Sequence, residues 1–535
     1  MKTRKLSFLL LSILFFAVSC HNNSRNYSAP TDNLSFPETS YFVEEEAPIH
    51  SDETNLQTEE YDIIRENEFL EAQQQPLSTF SIDVDNASYS NIRRYLDYQL
   101  PPVDAVRIEE MINYFTYDYP QPKGEHPFSL TTEVSKAPWN LDHYLVHIGL
   151  QGKSLDLEDI RPSNLVFLID CSGSMSDTNK LPLLKKAFNI LLDQLGEKDK
   201  VSIVAYAGAA GLVLPATPAT AKKQIMDALD KLEAGGSTAG GEGIQLAYRV
   251  AKENLISEGN NRVILATDGD FNVGTSSSAD LVRMIEEKRK DDIYLTICGL
   301  GMGNYKDGRM EQISNAGNGN YFYIDNIREA QKVFGREMRA NMFTIAKDVK
   351  MQVEFNPAQV KAYRLIGYEN RKLANEDFDD DTKDAGELGA GHTVTALYEI
   401  IPANSAETVK KAADLKYQQT SIKETALKSQ DLLTLKLRYK PIQSEESILL
   451  EHIVTHQVQP LESASVHFRF SSAVAGFGLL LRQSKFKGDL TYDQVIDMAR
   501  SALGPDSEGD RAEFVRLVEQ AKLLDNKTAA GKDGR

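Results

Sequence analysis

The spacing of apolar residues changes along the chain, and each change marks a different kind of structure. Over residues 162–342, short apolar runs such as NLVFLI alternate with segments whose apolar residues recur every three to four positions. These segments predict strands and helices in alternation, an order that favours a mostly parallel sheet with helices on both faces. We therefore predict a doubly wound α/β domain, closed by one helix over REAQKVFGREMRANM.

The regions on either side of this domain have other periods. Beyond residue 343, apolar and polar residues alternate, as in TVTALYEII and LLTLKLRYK, which predicts an antiparallel β domain over residues 343–462. Helical spacing returns over residues 463–535, where we expect a small C-terminal helical module. Residues 76–124 combine the strand FSIDV with helical segments and are predicted to form an N-terminal α/β module.

Residues 125–161 contain two further predicted strands, FSLTTEVSKAPWN and YLVHIGLQG. We expect them to join the β domain by pairing with strands that follow residue 346. The α/β domain would then be an insertion between two parts of one β domain.

The N-terminus has the features of an export signal. Basic MKTRK precedes apolar LSFLLLSILFFAV, which is too short for a bilayer span of ~20 residues, so residues 1–19 are predicted to be a signal peptide. Cys20 follows small residues and resembles the diacylated cysteine of bacterial lipoproteins; an ordinary secretory signal is the alternative. Residues 20–75 are polar and acidic, which predicts a disordered tether. We expect a lipid anchor in the bacterial cell envelope, and His21 in place of Asp favours the outer membrane.

Composition limits the partners of the chain. The formal net charge of −19 over 535 residues argues against a nucleic-acid partner, because phosphate would be repelled. No glycine-rich segment has the spacing of a phosphate loop or a dinucleotide fingerprint, so no small-molecule cofactor is expected. Apart from Cys20, the cysteines are Cys171 and Cys298, each beside an apolar run, and we expect both to be buried free thiols.

Polar residues interrupt the α/β pattern where two strands end. DCSGSMS places Asp170, Ser172 and Ser174 directly after NLVFLI, and Asp268 ends a strand expected across the reversal of strand order. Thr238 lies between them in the glycine-rich loop GGSTAGG. Ligands bind beyond the carboxyl ends of strands at such a reversal, so we expect these side chains to converge. Hard oxygen ligands suit Mg²⁺, with Mn²⁺ or Ca²⁺ as alternatives.

DCSGS resembles the DxSxS motif of the von Willebrand factor type A domain. Thr238 and Asp268 resemble the other two elements of that family's metal-ion-dependent adhesion site. The resemblance implies a Rossmann-like fold in which Asp170, Ser172, Ser174, Thr238 and Asp268 form the metal site. It also implies that neutral hydroxyls are the direct ligands, so that the cation takes a carboxylate oxygen from a protein partner.

The flanking segments are similar to a narrower family. SIDVDNASYSNIRRYL before the α/β domain and HFRFSSAVAGFGLLLRQSKFKGD after it resemble bacterial envelope lipoproteins that carry extra N-terminal and C-terminal modules. We therefore expect a lipoprotein without catalytic residues that binds a protein partner, as an adhesin or a scaffold.

Two other functions stay open. One is a metal-dependent hydrolase of the envelope, using the same metal or the region of Asp83; the other is a structural lipoprotein in which the metal only braces the loops. Against a hydrolase, the sequence predicts no general base and no His or Lys at the metal-site loops.

Two further groups of residues have weak metal-ligand spacing. His452 and His456 lie in a segment that reads as a strand, where they would line one face about 13 Å apart. The acids at 379–381 with Asp384 are interpreted as a solvated loop, with Ca²⁺ binding as the alternative.

Overall fold

The fold is given by a computed structural model. It describes residues 59–82, 85–155, 160–207, 209–236, 240–269, 278–303, 305–410, 417 and 421–533. Cys20, Asp83 and Thr238 lie outside these residues, as do the predicted signal peptide and most of the predicted tether.

The strands of the described residues are numbered in chain order. They are β1 (Leu70–Glu71), β2 (Leu77–Ser81), β3 (Phe128–Ala137), β4 (Asn140–Gly152), β5 (Ser163–Asp170), β6 (Lys200–Ala207), β7 (Ala209–Pro218), β8 (Asn260–Thr267), β9 (Ile293–Leu300), β10 (Tyr321–Ile324), β11 (Thr344–Phe355), β12 (Val360–Ile366), β13 (Gly386–Gly389), β14 (Thr393–Pro402), β15 (Asp431–Pro441), β16 (Ile448–Thr455) and β17 (Val458–Gln459).

The α-helices of the described residues follow the same convention. They are α1 (Ala87–Leu96), α2 (Ile108–Asn113), α3 (Leu181–Leu192), α4 (Lys222–Asp230), α5 (Gly240–Glu253), α6 (Ser278–Arg289), α7 (Asp307–Ala316), α8 (Ile327–Gln331), α9 (Met338–Met342), α10 (Glu424–Lys428), α11 (Val466–Leu481), α12 (Tyr492–Arg500) and α13 (Asp510–Asp533).

The α/β region forms one sheet with the strand order β10-β9-β8-β5-β6-β7. Its strands are parallel except β7, which runs antiparallel to β6. All residues of β5 are buried, because the sheet has a hydrophobic core on each face. The predicted doubly wound fold is thus confirmed, and the order reverses between β5 and β8, where the metal-site residues were expected.

The prediction that one helix closes the α/β domain is wrong, because the segment is interrupted by a π-helical turn. REAQKVFGREMRANM forms α8, a π-helical turn over Lys332–Arg336, and then α9. The wider turn is closed by a hydrogen bond of 2.9 Å from Glu337 N–H to the Lys332 carbonyl, five residues back. The buried Lys332 ammonium also reaches Glu337 Oε1 at 2.6 Å, a contact that apolar periodicity cannot reveal.

Two further sheets, antiparallel except for the parallel pair of β17 with β3, face one another across a core of their own. One sheet has the order β1-β12-β14-β4-β3-β17; the other contains β13-β11-β15-β16, with β2 paired to β11. Strand β4 pairs with β14 in register from Gln151↔Thr393 to Tyr144↔Ile400. The expected pairing of strands before residue 152 with strands after residue 346 is confirmed, so the α/β domain is inserted into the β domain.

The N-terminal and C-terminal helices share a core. Helices α1 and α2 pack with α11, α12 and α13 in one hydrophobic cluster, which also includes Leu145 of β4 and Leu397 of β14. No helix among the described residues is both long enough and apolar enough to cross a bilayer. Cys171 and Cys298 are free and buried, as expected.

Candidate metal centre

Asp170 ends β5 at the point where the strand order of the α/β sheet reverses. Its side chain is fully buried, and hydrogen bonds hold both carboxylate oxygens. Ser172 N–H donates to Oδ1 at 2.8 Å, while the hydroxyls of Tyr206 and Thr267 donate to Oδ2 at 3.1 and 3.2 Å. Burial raises the pKa of Asp170, and the nearby charge of Asp268 raises it further. The hydrogen bonds from Ser172 lower the pKa, but by less.

The two serines of DCSGS lie side by side. Ser172 Oγ and Ser174 Oγ are 3.0 Å apart, with Ser172 buried and Ser174 exposed to solvent. A short 3₁₀ turn over Gly173–Ser176 brings both hydroxyls to the same side of the loop. Because two oxygen donors converge beside Asp170, the structure brings together the residues that the motif predicted.

The glycine-rich loop approaches the same place. Gly235 N–H donates to the Cys171 carbonyl at 2.8 Å, and Gly173 N–H donates to the Gly236 carbonyl at 3.2 Å. Thr238 itself lies outside the described residues, so its role as a ligand stays a prediction.

Asp268 follows β8, next to β5 in the sheet. The residue is 1% exposed, and its Oδ1 is buried with no hydrogen-bond partner among the described residues. Its Oδ2 accepts a hydrogen bond of 3.0 Å from Lys180 Nζ, which also donates to the Ser174 carbonyl at 2.9 Å. The expectation of no His or Lys at the site is therefore wrong.

Sequence reasoning missed Lys180 because the residue stands outside the motif, just before α3. Tyr206 and Thr267 were also missed, although Thr267 directly precedes Asp268 in the sequence. The side chain of Lys180 is 6% exposed and is held as an ion pair, so it does not present a free general base to a substrate.

The residues present fit a small divalent cation. A buried carboxylate oxygen without a partner costs free energy unless a cation or donor satisfies it, and Asp268 Oδ1 is such an atom. The hydroxyls of Ser172 and Ser174 and the carboxylate of Asp170 are hard oxygen donors of the type that Mg²⁺ binds. Lys180 supplies a positive charge to the same carboxylate that the metal would approach.

The two histidines with weak metal-ligand spacing have different hydrogen-bond partners. His452 Nε2 contacts Thr132, whereas His456 Nδ1 contacts Gln359. Within the described residues, no group of three or more His, Cys, Asp or Glu side chains is arranged to hold a metal ion.

The acids of the 379–384 segment are each used within the protein. Asp379 pairs with Arg438 and Asp384 with Arg289, while Asp380 accepts from Thr382 and Asp381 from Ser447.

Comparison with known proteins identifies the family of the α/β domain. The family described as von Willebrand factor type A domain matches residues 164–336, and the one described as von Willebrand factor matches residues 55–147. Residues 340–524 match the family described as Uncharacterized protein YfbK, C-terminal. The α/β domain is therefore a von Willebrand factor type A domain.

Individual proteins are similar over different lengths. Uncharacterized protein YfbK of Escherichia coli strain K12 is 41% identical over 475 residues, which cover 87% of this chain and 82% of that protein. Uncharacterized protein sll0103 of Synechocystis is 30% identical over 193 residues, covering 35% of this chain and 44% of its own. A solved structure, von Willebrand factor type A from Catenulispora acidiphila, is 17% identical with a TM-score of 0.40, covering 75% of this chain and 91% of that one. The chain belongs to the YfbK family.

Proposed function

We propose that this protein is a lipoprotein of the bacterial cell envelope whose von Willebrand factor type A domain binds an acidic protein partner through a divalent cation. In this proposal the protein acts as an adhesin or scaffold and carries no catalytic residues. Asp170, Ser172, Ser174, Thr238 and Asp268 are the proposed metal site, Mg²⁺ is the proposed ion, and Cys20 is the proposed lipid anchor.

The metal proposal rests on the hydrogen bonding of the Asp268 carboxylate. Its buried Oδ1 has no hydrogen-bond partner in the described part of the chain, whereas both carboxylate oxygens of Asp170 accept hydrogen bonds. The two serine hydroxyls lie beside Asp170 at the same edge of the sheet, where a cation would meet oxygen atoms from both β5 and β8. Such an arrangement serves binding better than hydrolysis, because the basic side chain at the site is committed to an ion pair.

The proposed partner follows from the charge of the ligands. Ser172, Ser174 and Thr238 would coordinate as neutral groups, which leaves a bound Mg²⁺ electron-poor and able to take a carboxylate oxygen from outside. Ser174 is exposed, so a side chain of a partner can reach this side of the site.

Calorimetric titration of Mg²⁺ into the soluble chain that begins after Cys20 tests the metal site. We expect saturable binding to one site, weakened in Asp170→Asn and Asp268→Asn by at least the roughly 10- to 100-fold that loss of an outer-shell partner costs. Asp193→Asn is the matched control, because Asp193 is an exposed acid at the end of α3 and should leave binding unchanged. The proposal fails if Mg²⁺ and Mn²⁺ do not bind at millimolar concentration.

Capture of partners from envelope extracts, with Mg²⁺ or with a chelator, tests the binding function. A partner retained by wild type with Mg²⁺ and lost in Asp268→Asn supports it. If Mg²⁺ stabilises the protein but the captured proteins are the same with the chelator, the metal only braces the loops. Incorporation of labelled palmitate, lost in Cys20→Ser, tests the anchor.

A further inference from the structure

A cavity of about 760 Å³ lies at the opposite end of the α/β sheet from the candidate metal centre. It is formed where β8 and β9 begin and where the chain returns from α9 to β11. Its walls are apolar and polar in about equal parts, and they include one buried positive charge. Apolar wall residues include Leu155, Ile256, Met342, Phe343, Ile345 and Ile442.

The buried charge is Arg262 on β8, which is 2% exposed. Its Nη1 donates to Thr296 Oγ1 at 2.7 Å, and its Nη2 reaches the Met342 carbonyl at 3.5 Å, the limit of a hydrogen bond. Its Nε is buried, and no described residue offers it an acceptor. No carboxylate oxygen of the described residues lies within 4.0 Å of a guanidinium nitrogen of Arg262, the distance limit for an ion pair.

Most other buried arginines of the described residues have counter-charges. Arg107, 6% exposed, pairs with Glu110 and Asp307, and Arg93 pairs with several acids. Arg511 has no counter-charge in the described part of the chain but donates to the backbone carbonyls of Ala502 and Thr116. Desolvating an unpaired charge costs several kcal/mol, which is why buried arginines are almost always paired. Arg262 departs from this rule.

Other groups near Arg262 compensate its positive charge only weakly. Burial lowers the pKa of its guanidinium to about 10, which still leaves it charged at neutral pH; Tyr294 and Glu387 act in the opposite direction at longer range. Desolvation in turn raises the pKa of Glu387 well above its ordinary value, which weakens any counter-charge from that acid. The Tyr294 ring lies 5.6 Å from the guanidinium and adds a modest cation–π attraction.

We propose that this cavity binds a small carboxylate with an apolar tail, of the fatty-acid type, whose carboxylate pairs with the guanidinium of Arg262. The planar guanidinium fork matches a carboxylate, and the apolar side chains of the wall can contact an alkyl chain. The volume is within the 300–1,000 Å³ typical of small-molecule sites. The exposed rim carries two acids, Glu258 and Asp292, and two bases, Lys153 and Arg161, so the one buried charge of Arg262 decides for a monoanion. This inference is independent of the metal site.

Calorimetric titration of decanoate into the mature soluble chain, with 1-decanol and decyltrimethylammonium as probes of the same tail length, tests this inference. We expect decanoate to bind at one site, with the neutral alcohol at least about 10-fold weaker, because a charged hydrogen bond contributes ~1.5–3 kcal/mol. The cationic probe should not bind. Equal affinities for decanoate and decanol would show that the guanidinium is not used and would overturn the proposal.

Two variants make the test specific. Arg262→Met removes the charge, keeps the length of the side chain and should weaken decanoate binding at least about 10-fold. Its fold should be retained, because replacing an unpaired buried charge by an apolar side chain is neutral or stabilising. Arg161→Met, at an exposed arginine of the rim, is the matched control and should change affinity by less than about 3-fold.

If Arg262→Met does not fold, Arg262→Lys decides the matter. It keeps a charge without the fork, so decanoate should bind more weakly than to wild type but more tightly than 1-decanol. Wild-type affinity in Arg262→Met, unchanged affinity in Arg262→Lys, or no saturable binding of decanoate up to about 5 mM each overturns the inference.

Discussion

Lys180 places a positive charge inside the site proposed to hold a metal ion. Its Nζ contacts Asp268 Oδ2 at 3.0 Å and the Ser174 carbonyl at 2.9 Å. Its stem crosses Gly301, a residue with φ +74°, where a Cβ would overlap the lysine side chain. The glycine therefore gives the lysine a path to the carboxylate. In the absence of metal, this ammonium is the counter-charge of a buried acid.

We predict that Lys180→Met raises the affinity for Mg²⁺ by about 10- to 100-fold, because the metal no longer competes with a charged hydrogen bond of ~1.5–3 kcal/mol. Without Mg²⁺, the same variant should melt at a lower temperature than wild type, since Asp268 then has no counter-charge. Calorimetry and thermal melts with and without Mg²⁺ measure the two effects.

Lys186→Met is the matched control for Lys180→Met, because Lys186 lies on α3 and is exposed. It should change neither quantity. Weaker Mg²⁺ binding in Lys180→Met would contradict the prediction and would instead assign the lysine to the support of the loop.

The residues of the candidate site differ in how far the sequence predicts them. Asp170, Ser172 and Ser174 are close in the chain and follow a strand, so their convergence needs only local structure. Asp268 is brought to them by the parallel pairing of β5 with β8, which strand order predicts. Lys180 reaches the site only because the end of β9 provides Gly301, a tertiary contact that no spacing encodes.

At the scale of elements, three neighbouring strands of the β domain share a buried charge cluster. Glu399 of β14 lies between Arg364 of β12, at 2.7 Å, and His143 of β4, at 2.6 Å. His143 Nε2 also contacts Glu407 at 2.7 Å. Burial alone would lower the pKa of His143, but its hydrogen bonds to the two glutamates outweigh burial and raise the pKa.

We predict that protonated His143 stabilises this sheet in mildly acidic solution. Because its folded-state pKa is above the unfolded value near 6.5, its contribution is complete below that value and is lost as the pH rises through the raised pKa. His143→Gln should therefore cost about 1.5–3 kcal/mol of unfolding free energy at about pH 5.5 and less at about pH 8.5. Urea unfolding across this range measures the difference.

His126→Gln is the control for the pH experiment, because His126 contacts Tyr439 and lies outside the cluster. A penalty for His143→Gln that grows with rising pH would contradict the predicted direction of the effect.

Elements were predicted well where one period dominates and poorly where side-chain contacts decide. The alternation in TVTALYEII predicts β14, and the helical spacing of TYDQVIDMARSAL predicts α12, which begins with the Thr491 capping box. The helical spacing of DAVRIEEMINYF predicts a helix from Asp104 onward, but the segment forms only the shorter α2, because Val103–Ala105 takes a 3₁₀ turn first. The π-helical turn between α8 and α9 depends on the buried contact of Lys332 with Glu337, which is invisible to apolar periodicity.

At the scale of the molecule, the two ends of the inserted domain lie side by side. Gly152 at the end of β4 faces Ile345 near the start of β11, so that a Cβ on the glycine would be 3.1 Å from Ile345 Cδ1. Lys153 and Phe343 each accept a backbone hydrogen bond from the turn at Ala390 and Gly391. The change of period at residue 343 predicted the insertion. It did not predict the charges that join the inserted domain to the helices.

Those charges centre on Arg93 of α1. It binds Asp325 at 2.5 Å and Glu329 at 2.7 Å, both in the inserted domain, and Glu513 of α13 at 2.9 Å. Burial raises the pKa of Glu329, whereas the charge of Arg93 lowers it. The charged form of this buried carboxyl is therefore stabilised by Arg93. The inserted domain and the helical core therefore each hold part of one buried network.

We predict that replacing residues 156–340 by a flexible linker of about six residues leaves a folded β domain with its helices, because the ends to be joined are adjacent and the sheets pair without the insertion. The shortened chain should be less stable than the full chain, because Arg93 would keep one acid in place of three and Arg107 would lose Asp307. Arg93→Met should cost about 3–5 kcal/mol in the full chain, where it leaves the buried Glu329 unpaired, and less in the shortened chain, which lacks Glu329. Circular dichroism and urea unfolding of the four proteins measure this difference. An unfolded shortened chain, with or without Arg93→Met, would mean that the β domain cannot form without its insertion.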